Sequence, residues 1–273
     1  MLTFVPTPLG NLRDITYRAV DTLQNATLFL CEDTRVTRRL LKLLEERGVL
    51  ERFPAGEFLS FNEHNGPRRL EEIGERLATE NAVYLSDAGM PAISDPGQLL
   101  AAYCQERGIP YDVLPGPSAA TTVYAASGFP SGRFLFYGFL PHKGRERREA
   151  LDALAAREWD TVLYEAPHRL ERLLEELAER DPEREIFAAK ELSKQYQRYY
   201  RGSVRELLER LREEGAFRGE WALVVAGAPR ERPALYLEDL LAEELPPKVK
   251  AKLLARLTGE SVKAWYARLT EGR

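Results

Sequence analysis

The 273-residue sequence has few cysteines, histidines and methionines, and it has no long apolar run. Cys31 and Cys104 are too few for a disulfide framework, and with three scattered histidines they give no zinc-binding spacing. No segment approaches the roughly 20 apolar residues that a membrane-spanning helix needs. The first residues show neither the basic region nor the cleavage pattern of a secretion signal. These absences predict a cytoplasmic protein without a zinc site.

Charge is distributed unevenly along the chain, whose net charge is −4. Residues 245–273 carry seven lysines and arginines against two glutamates, so the rest of the chain is acidic. A basic tail on an acidic body indicates a polyanionic partner. A solvated pair of amphipathic helices would carry the same charges, so charge alone leaves both interpretations open.

Short apolar runs alternate with helical patterns along the chain. Five such runs lie in the first half, at residues 2–5, 27–31, 58–61, 82–85 and 111–114. This alternation predicts a parallel sheet with helices on both faces. The spacing of apolar residues from Leu12 to Leu23 predicts an amphipathic helix between the first two runs.

The second half predicts further strands at residues 133–140, 160–166, 185–190 and 220–227, with helices between them. The prolines of LPGPS, residues 114–118, indicate a domain boundary. The predicted fold is therefore α/β, with domains at 1–115 and 116–229 and a helical basic tail at 230–273. Residues 228–234 are interpreted as a linker, and helix breaks are predicted at 246–247 and 258–259.

Four turns follow the carboxyl ends of predicted strands: PTPLGN, CEDTR, SDAGMPAISDPG and PGPSAA. Ligands bind at that edge of a parallel sheet. Glycines allow close backbone approach to a ligand, and prolines stiffen the loops. The turns predict a rigid cradle for a nucleoside-like ligand, in which Asp87 has a functional role and Asp95 mainly caps the next helix. A Rossmann domain is not indicated, because Gly10 and Glu32 have the right separation but the three-glycine fingerprint is absent.

The order of the motifs resembles that of a known family. The motifs are TPLGNLRDITYRAVDTL, CEDTRVTRRLL, FNEHN, LSDAGMPAISDPG, PGPSAA, GFLPHKG, YEAPHRL and AKELSK. Together they resemble the ribosomal RNA small subunit methyltransferase I family of the tetrapyrrole methylase (class III) superfamily. The resemblance covers residues 2–227 and implies two α/β domains with S-adenosyl-L-methionine in the cleft between them. It also implies a homodimer that methylates the ribose 2′-oxygen of a cytidine in the decoding centre of 16S rRNA.

The resemblance assigns residues to the cofactor motif by motif. Those assigned are Leu9, Gly10, Asp87, Ala88, Gly89, Ile93, Ser118, Ala119, Tyr164, Glu165 and Ala166. Met90 stands where the family has threonine more often, which puts a side-chain hydroxyl contact there in doubt.

A ribose hydroxyl is a poor nucleophile, so a general base or a charge near the oxyanion is expected to assist. Lys190 or Glu191 is the prediction for this catalytic role, and Asp33 and Glu63 are further polar candidates. For RNA binding we predict Arg35, Arg38, Arg39, His64, Asn65, Lys143 and Arg145, with Arg147 and Arg148 continuing the last cluster. Local ion pairs, a turn histidine and solvated helix faces are the structural alternatives for these residues.

Two other functions stay open at this point. One is a tetrapyrrole-type methyltransferase that acts on a small molecule. The basic tail and the CEDTR and FNEHN motifs argue against it, because they resemble the members of the superfamily that act on RNA. The other is a non-catalytic RNA-binding assembly factor with a vestigial cofactor cleft.

Overall fold

The computed structural model describes residues 1–228 and 237–270. Residues 1–228 contain two five-stranded sheets with helices packed on them, which confirms the predicted α/β class. The described part of the tail is helical. The predicted domain boundaries near residues 115 and 229 stay predictions, and most of the predicted linker, residues 229–234, lies outside the described residues.

The first sheet is built from the five apolar runs of the first half. Its strands are β1 (Leu2–Phe4), β2 (Leu28–Cys31), β3 (Glu57–Ser60), β4 (Ala82–Leu85) and β5 (Tyr111–Val113). Their order is β3-β2-β4-β1-β5, and every neighbouring pair is parallel. The helices between them are α1 (Tyr17–Gln24), α2 (Thr34–Glu46), α3 (Gly66–Thr79) and α4 (Gly97–Arg107). All five carboxyl ends therefore meet at one edge, as the turn motifs predict.

Strand β4 shows why this sheet is buried on both faces. Val83 and Leu85 belong to one apolar cluster, and Ala82 and Tyr84 belong to another. Successive side chains of a strand point to opposite faces, so each face of β4 packs against its own layer of helices. The loop after β4 is thereby anchored at the centre of the sheet.

The second sheet is mixed and follows α5 (Ala119–Ser127). Its strands are β6 (Phe134–Phe139), β7 (Asp160–Glu165), β8 (Glu185–Lys190), β9 (Arg198–Ser203) and β10 (Trp221–Val225), in the order β6-β7-β10-β8-β9. Only β6 and β7 pair in parallel. The helices are α6 (Gly144–Ala155), α7 (Pro167–Ala178) and α8 (Val204–Glu214). Sequence patterns missed β9 because it is a charged edge strand in which Tyr200 alone is buried.

The helix predicted from Leu12 to Leu23 is shorter than expected. Residues Leu12–Asp14 form a 3-10 turn, and α1 begins only at Tyr17. The reason is local: the side chain of Thr16 accepts a hydrogen bond from the backbone N–H of Ala19 and so caps a new helix start. Leu12 and Ile15 pack against the same core from outside the helix.

The described tail consists of α9 (Leu237–Ala242), α10 (Pro247–Thr258) and α11 (Val262–Thr270). These helices share a small core of Leu240, Ala251, Leu254, Ala255 and Trp265. The predicted breaks are confirmed: Pro247 opens α10 and Gly259, at φ 75°, ends it. Among residues 1–228 and 237–270, no helix has both the length and the apolar character needed to cross a bilayer.

Candidate functional site

A cavity of about 390 Å³ is lined by residues of both sheets. The first sheet contributes the loops after β1, β2 and β4, and the second contributes the ends of β6 and β7 and the start of β10. The lining residues are Leu9, Glu32, Ser86, Ala88, Gly89, Met90, Ile93, Ser94, Asp95, Ser118, Ala119, Phe139, Tyr164, Glu165, Ala166, Pro167, Leu192, Glu220, Trp221 and Ala222. The cavity is of the size and mostly apolar character typical of small-molecule sites.

Most of the residues predicted to hold a cofactor meet in this cavity. Nine of them line it: Leu9, Ala88, Gly89, Ile93, Ser118, Ala119, Tyr164, Glu165 and Ala166. Gly10 and Asp87 do not line it. The structure thus brings together residues that are up to 157 positions apart in the sequence. Their contact with a cofactor stays a prediction.

The loop after β4 is held in shape by Asp95. One oxygen of this carboxylate, Oδ1, accepts hydrogen bonds from the Tyr84 hydroxyl at 2.7 Å and from the backbone N–H groups of Ala92 and Gly97 at 3.0 and 2.9 Å. Ala92 has a positive φ of 65°, a conformation that non-glycine residues adopt only when the surroundings impose it. The mainly structural role predicted for Asp95 agrees with these bonds, although Asp95 also lines the cavity.

Gly89 brings this loop against the loop after β1. Its backbone N–H and C=O both pair with Thr7, each at 3.0 Å. Gly89 has a φ of 82°, and a Cβ placed on it would lie 2.9 Å from Cδ2 of Leu9. Both the left-handed conformation and the close approach require glycine here. The cavity wall is therefore formed by backbone, before any ligand binds.

Asp87 links two loops instead of lining the cavity. Its Oδ1 accepts a hydrogen bond from the backbone N–H of Asp33, and its own N–H donates to Oε2 of Glu32, both at 3.1 Å. Burial raises the pKa of Asp87 and that of Glu32, and the charge of Asp87 further raises the pKa of Glu32. Asp33 differs, because hydrogen bonds from Arg35 lower its pKa to about 2. Asp87 and Glu32 thus join the carboxyl ends of β4 and β2.

Glu165 supplies a buried acceptor on the opposite wall. Its side chain is fully buried, and Oε1 accepts hydrogen bonds from the backbone N–H of Ala166 at 2.9 Å and from Nε of Arg169 at 2.6 Å. The other oxygen, Oε2, is buried and accepts no hydrogen bond from any residue in the described ranges. Buried polar atoms are rarely left without a partner. An amino or hydroxyl donor of a nucleoside is the kind of group that this wall fits.

Tyr164 stands beside Glu165 at the end of β7. Burial raises its pKa to about 12, so its hydroxyl is neutral at physiological pH. Pocket walls of this kind, with small residues, neutral aromatics and one unpaired carboxylate oxygen, match the chemistry of a nucleoside with a charged sulfur. The residues present therefore fit S-adenosyl-L-methionine.

Sequence reasoning missed about half of the lining residues. They are Glu32, Ser86, Ser94, Asp95, Phe139, Pro167, Leu192, Glu220, Trp221 and Ala222, whereas Met90, at which a backbone contact was expected, does line the cavity. Several of these lie next to predicted residues, so adjacency could have found them. Trp221 had no such signal, because it reaches the cavity through antiparallel pairing opposite Glu165.

The residues predicted as catalytic, Lys190 and Glu191, do not line the cavity. The Lys190 ammonium donates to the backbone oxygen of Ala216 at 2.8 Å and lies 5.7 Å from the Trp221 ring centroid. Oε1 of Glu191 accepts from the backbone N–H of Glu220 at 2.7 Å. Both side chains thus hold neighbours of the cavity, and a catalytic role for either stays a prediction.

The residues predicted to bind RNA fall into three groups. Arg39, His64 and Lys143 are exposed, and Arg38 is exposed with its guanidinium 4.0 Å above the Phe58 ring. Arg35 and Arg145 are also exposed but form ion pairs with Asp33 and Glu149, each at 2.6 Å. Asn65 is engaged in the loop before α3, where its amide donates to Ser60 and accepts from the N–H of Asn62. RNA contact by these residues stays a prediction.

The extension of the RNA cluster to Arg147 is wrong. This side chain is 2% exposed, and its guanidinium donates to Oε2 of Glu176 at 2.7 Å and to the backbone oxygen of Pro141 at 2.9 Å. Arg147 lies on α6, four residues after the N-cap Lys143, and its side chain faces α7 and not solvent. Arg148 is exposed.

Comparison with known proteins identifies relatives along nearly the whole chain. A protein named ribosomal RNA small subunit methyltransferase I from Helicobacter pylori is 46% identical over 97% of this chain and 96% of its own length. A protein of the same name from Thermotoga maritima is 42% identical over 83% of this chain and 98% of its own length. Another, from Escherichia coli O157:H7, is 39% identical over 97% of this chain and 93% of its own length.

Solved structures with the same fold are more distant. Diphthine synthase aligns with a TM-score of 0.60 at 14% identity, over 82% of this chain and 89% of that chain. Uroporphyrin-III C-methyl transferase from Thermus thermophilus, complexed with S-adenosyl homocysteine, aligns with a TM-score of 0.54 at 18% identity. This alignment covers 82% of this chain and 96% of that chain. The profile of the Tetrapyrrole (Corrin/Porphyrin) Methylases matches residues 1–208. The chain therefore belongs to the tetrapyrrole methylases and, within them, to the ribosomal RNA small subunit methyltransferase I family.

Proposed function

We propose that this protein methylates the ribose 2′-oxygen of a cytidine in the decoding centre of 16S rRNA, with S-adenosyl-L-methionine as methyl donor. The names of the relatives support RNA of the small subunit as the substrate. The observation that carries the proposal is the two-walled cavity, whose lining includes Gly89 from the first sheet and Glu165, with its buried and unpaired Oε2, from the second. A cytoplasmic location and a homodimer, both expected from the sequence, stay predictions.

The donor supplies a methyl group on a positively charged sulfur, so the chain has to supply binding and alignment above all. Ala88 and Gly89 offer backbone at close range, and Leu9 and Ala119 offer apolar surface on either side. Glu165 offers Oε2 to a hydroxyl or amino donor. Tyr164 adds aromatic surface to the wall that holds Glu165, which helps to keep water away from the reacting atoms. The nucleophilic oxygen must then lie near 3 Å from the methyl carbon, on the line through the sulfur.

Transfer of labelled methyl from S-adenosyl-L-methionine to unmethylated small ribosomal subunits tests this function. We expect label in 16S rRNA at a single cytidine, located by alkaline hydrolysis, because a 2′-O-methyl group blocks cleavage at its own nucleotide. Label on a base, or on porphyrin precursors instead of subunits, would contradict the proposal. Calorimetry with S-adenosyl homocysteine separates both outcomes from a non-catalytic RNA-binding factor, which would bind RNA but not this ligand.

The basic tail is expected to contribute phosphate contacts. Lys248, Lys252 and Arg256 follow one another at helical spacing along α10 and are exposed, as is Lys263 on α11. Lys250 is different, since its ammonium donates to the backbone oxygens of Leu241 and Glu243 inside the tail.

Replacing the three exposed α10 cations by glutamine is expected to weaken binding to small subunits and to make its dependence on salt concentration less steep. The reason is that each phosphate contact releases counterions, with a slope of about 0.9 per contact in duplexes and less in single strands. Binding measured between 50 and 300 mM KCl checks this, and Lys250→Gln is left out because it would disturb the tail itself. Affinity for S-adenosyl homocysteine should not change. If the dependence on salt concentration stays the same, these three cations make no phosphate contacts and only face solvent.

A further inference from the structure

A second cavity, of about 550 Å³, adjoins the first. It is lined by Glu63, Ile93, Ser94, Asp95, Pro96, Gln98, Leu99, Phe136, Tyr137, Gly138 and Phe139. Four of these residues, Ile93, Ser94, Asp95 and Phe139, line the first cavity as well. The two cavities therefore share a wall, and a group held in one lies next to a group held in the other.

Phe139 reaches this shared wall because β6 is irregular. The pairing of β6 with β7 shifts between Phe136 and Gly138, and Gly138 has a φ of 76°. Residues three apart on a regular strand point to opposite faces. Here Phe136 and Phe139 both pack edge-on against Tyr164, with ring centroids 5.1 and 5.7 Å away. Bulges of this type re-aim side chains next to active sites.

Phe139 also keeps much of its surface uncovered, since 53% of the residue is exposed. A flat ligand group that covers this ring would remove apolar surface from water, which favours its binding. Bases of RNA bind to proteins most often by stacking on such aromatic rings after leaving their own helix. The ring is thus placed for a flat, unsaturated ligand group.

Glu63 provides a polar group on the same cavity. It is exposed, and its carboxylate has no hydrogen bond or ion pair with any residue in the described part of the chain. A carboxylate accepts from the exocyclic amino group of cytosine, whereas uracil presents a carbonyl oxygen at that position and would be repelled. The rim of the cavity therefore has the donor–acceptor character that distinguishes the two pyrimidines.

We propose that the second cavity receives the target nucleobase, flipped out of the rRNA, with Phe139 as its stacking platform and Glu63 as the acceptor for the cytosine amino group. The assignment rests on the proposed function, because the ribose must face the first cavity for its 2′-oxygen to reach the methyl donor. Base and ribose are joined by one bond. A ribose at the shared wall therefore places its base in the adjoining cavity.

Phe139→Ala is expected to lower methyl transfer to limiting amounts of small subunits by about ten- to a hundredfold, the range seen for loss of one base–aromatic stack. Affinity for S-adenosyl homocysteine should stay within about threefold by calorimetry. Phe139→Tyr keeps the ring and should restore most of the rate. Trp159→Ala is the matched control: Trp159 is 50% exposed but lines neither cavity, and its removal should leave transfer unchanged.

Three results would overturn the assignment of Phe139: wild-type transfer by Phe139→Ala, a loss of ligand affinity that accounts for the whole loss of rate, or no rescue by Phe139→Tyr. Each of these presupposes that the wild-type protein methylates the subunits. If the wild type itself transfers no methyl to them, the proposed function fails first and the nucleobase site fails with it. The two failures are therefore distinguishable.

Glu63→Gln tests the recognition of cytosine. The substrates are small subunits reconstituted with either unmethylated cytidine or uridine at the target position. The wild type should favour the cytidine subunits by about tenfold or more. The amide can donate to the uracil oxygen, so the variant should lose most of this preference. Glu106→Gln, an exposed α4 residue outside both cavities, should keep it. An undiminished preference in Glu63→Gln would remove Glu63 from base recognition.

Discussion

Gly89→Ala is expected to weaken binding of S-adenosyl homocysteine by at least about tenfold and to abolish most methyl transfer. Two effects add at this position. The left-handed backbone at φ 82° costs a non-glycine residue about 1–2 kcal/mol, and the new Cβ would lie 2.9 Å from Leu9 Cδ2. Relief of that contact moves either Leu9 or the loop after β4, and both form the cavity wall. Because Gly89 is paired with Thr7 through both backbone groups, the displacement reaches both loops.

Gly108→Ala provides the matched control. Gly108 also has a positive φ, 63°, but a Cβ there would meet nothing within 4 Å, and the residue ends α4 away from the cavity. Both variants should lose about 1 kcal/mol or more of stability in urea unfolding. Only Gly89→Ala should lose ligand affinity in calorimetry. Equal affinities in the two variants would show that the close approach of Gly89 to Leu9 does not shape the site.

The turn that contains Gly89 could be predicted from sequence because its determinants are local. A four-residue apolar run fixes β4, and glycines and prolines directly after it restrict the loop. The different roles of its two carboxylates, Asp87 and Asp95, were harder to predict. Asp95 bonds mainly within its own loop, as expected for a cap. Asp87 bonds to the loop after β2, 54 positions earlier in the chain, and no local pattern reports such a contact.

The second wall depends on pairings that the sequence does not display. Trp221 reaches the cavity because β10 runs antiparallel to β7, whereas the residue itself begins an ordinary apolar strand. Phe139 reaches it because of the irregular pairing of β6. The motif resemblance did locate Tyr164, Glu165 and Ala166 on this wall, so it supplied what periodicity could not.

Lys190 and Glu191, whose catalytic role stays a prediction, also have contacts that the sequence does not display. Polar residues at a strand end next to a site are reasonable candidates for catalysis. Their partners, however, are the backbone groups of Ala216 and Glu220, which come from a distant part of the chain. Glu191 has a positive φ of 53°, and Gly219 leaves room for its side chain. These contacts link Lys190 and Glu191 to the segment that carries Trp221.

Glu165→Gln is the second change with a large expected effect. The amide keeps the volume of the side chain but replaces one carboxylate oxygen by a donor. A ligand hydroxyl or amino group that donates to Oε2 would then meet an N–H group, so affinity for S-adenosyl homocysteine should fall by about ten- to a hundredfold, the usual value of a hydrogen bond to a charged group. Single-injection calorimetry and a methyl-transfer assay at limiting donor concentration both measure this loss.

Stability has to be separated from binding in this experiment, because Glu165 also pairs with the half-buried Arg169. Glu176→Gln is the appropriate comparison. Glu176 also pairs with arginine, since it accepts hydrogen bonds from Arg147 at 2.7 Å and from Arg172 at 3.0 Å, but it does not line the cavity. Both variants weaken an ion pair with a buried or half-buried arginine, so both should unfold at lower urea concentration. If Glu165→Gln binds the ligand as Glu176→Gln does, the unpaired oxygen belongs to the fold and not to the site. A loss confined to Glu165→Gln assigns it to the ligand, because only there does the ligand lose an acceptor.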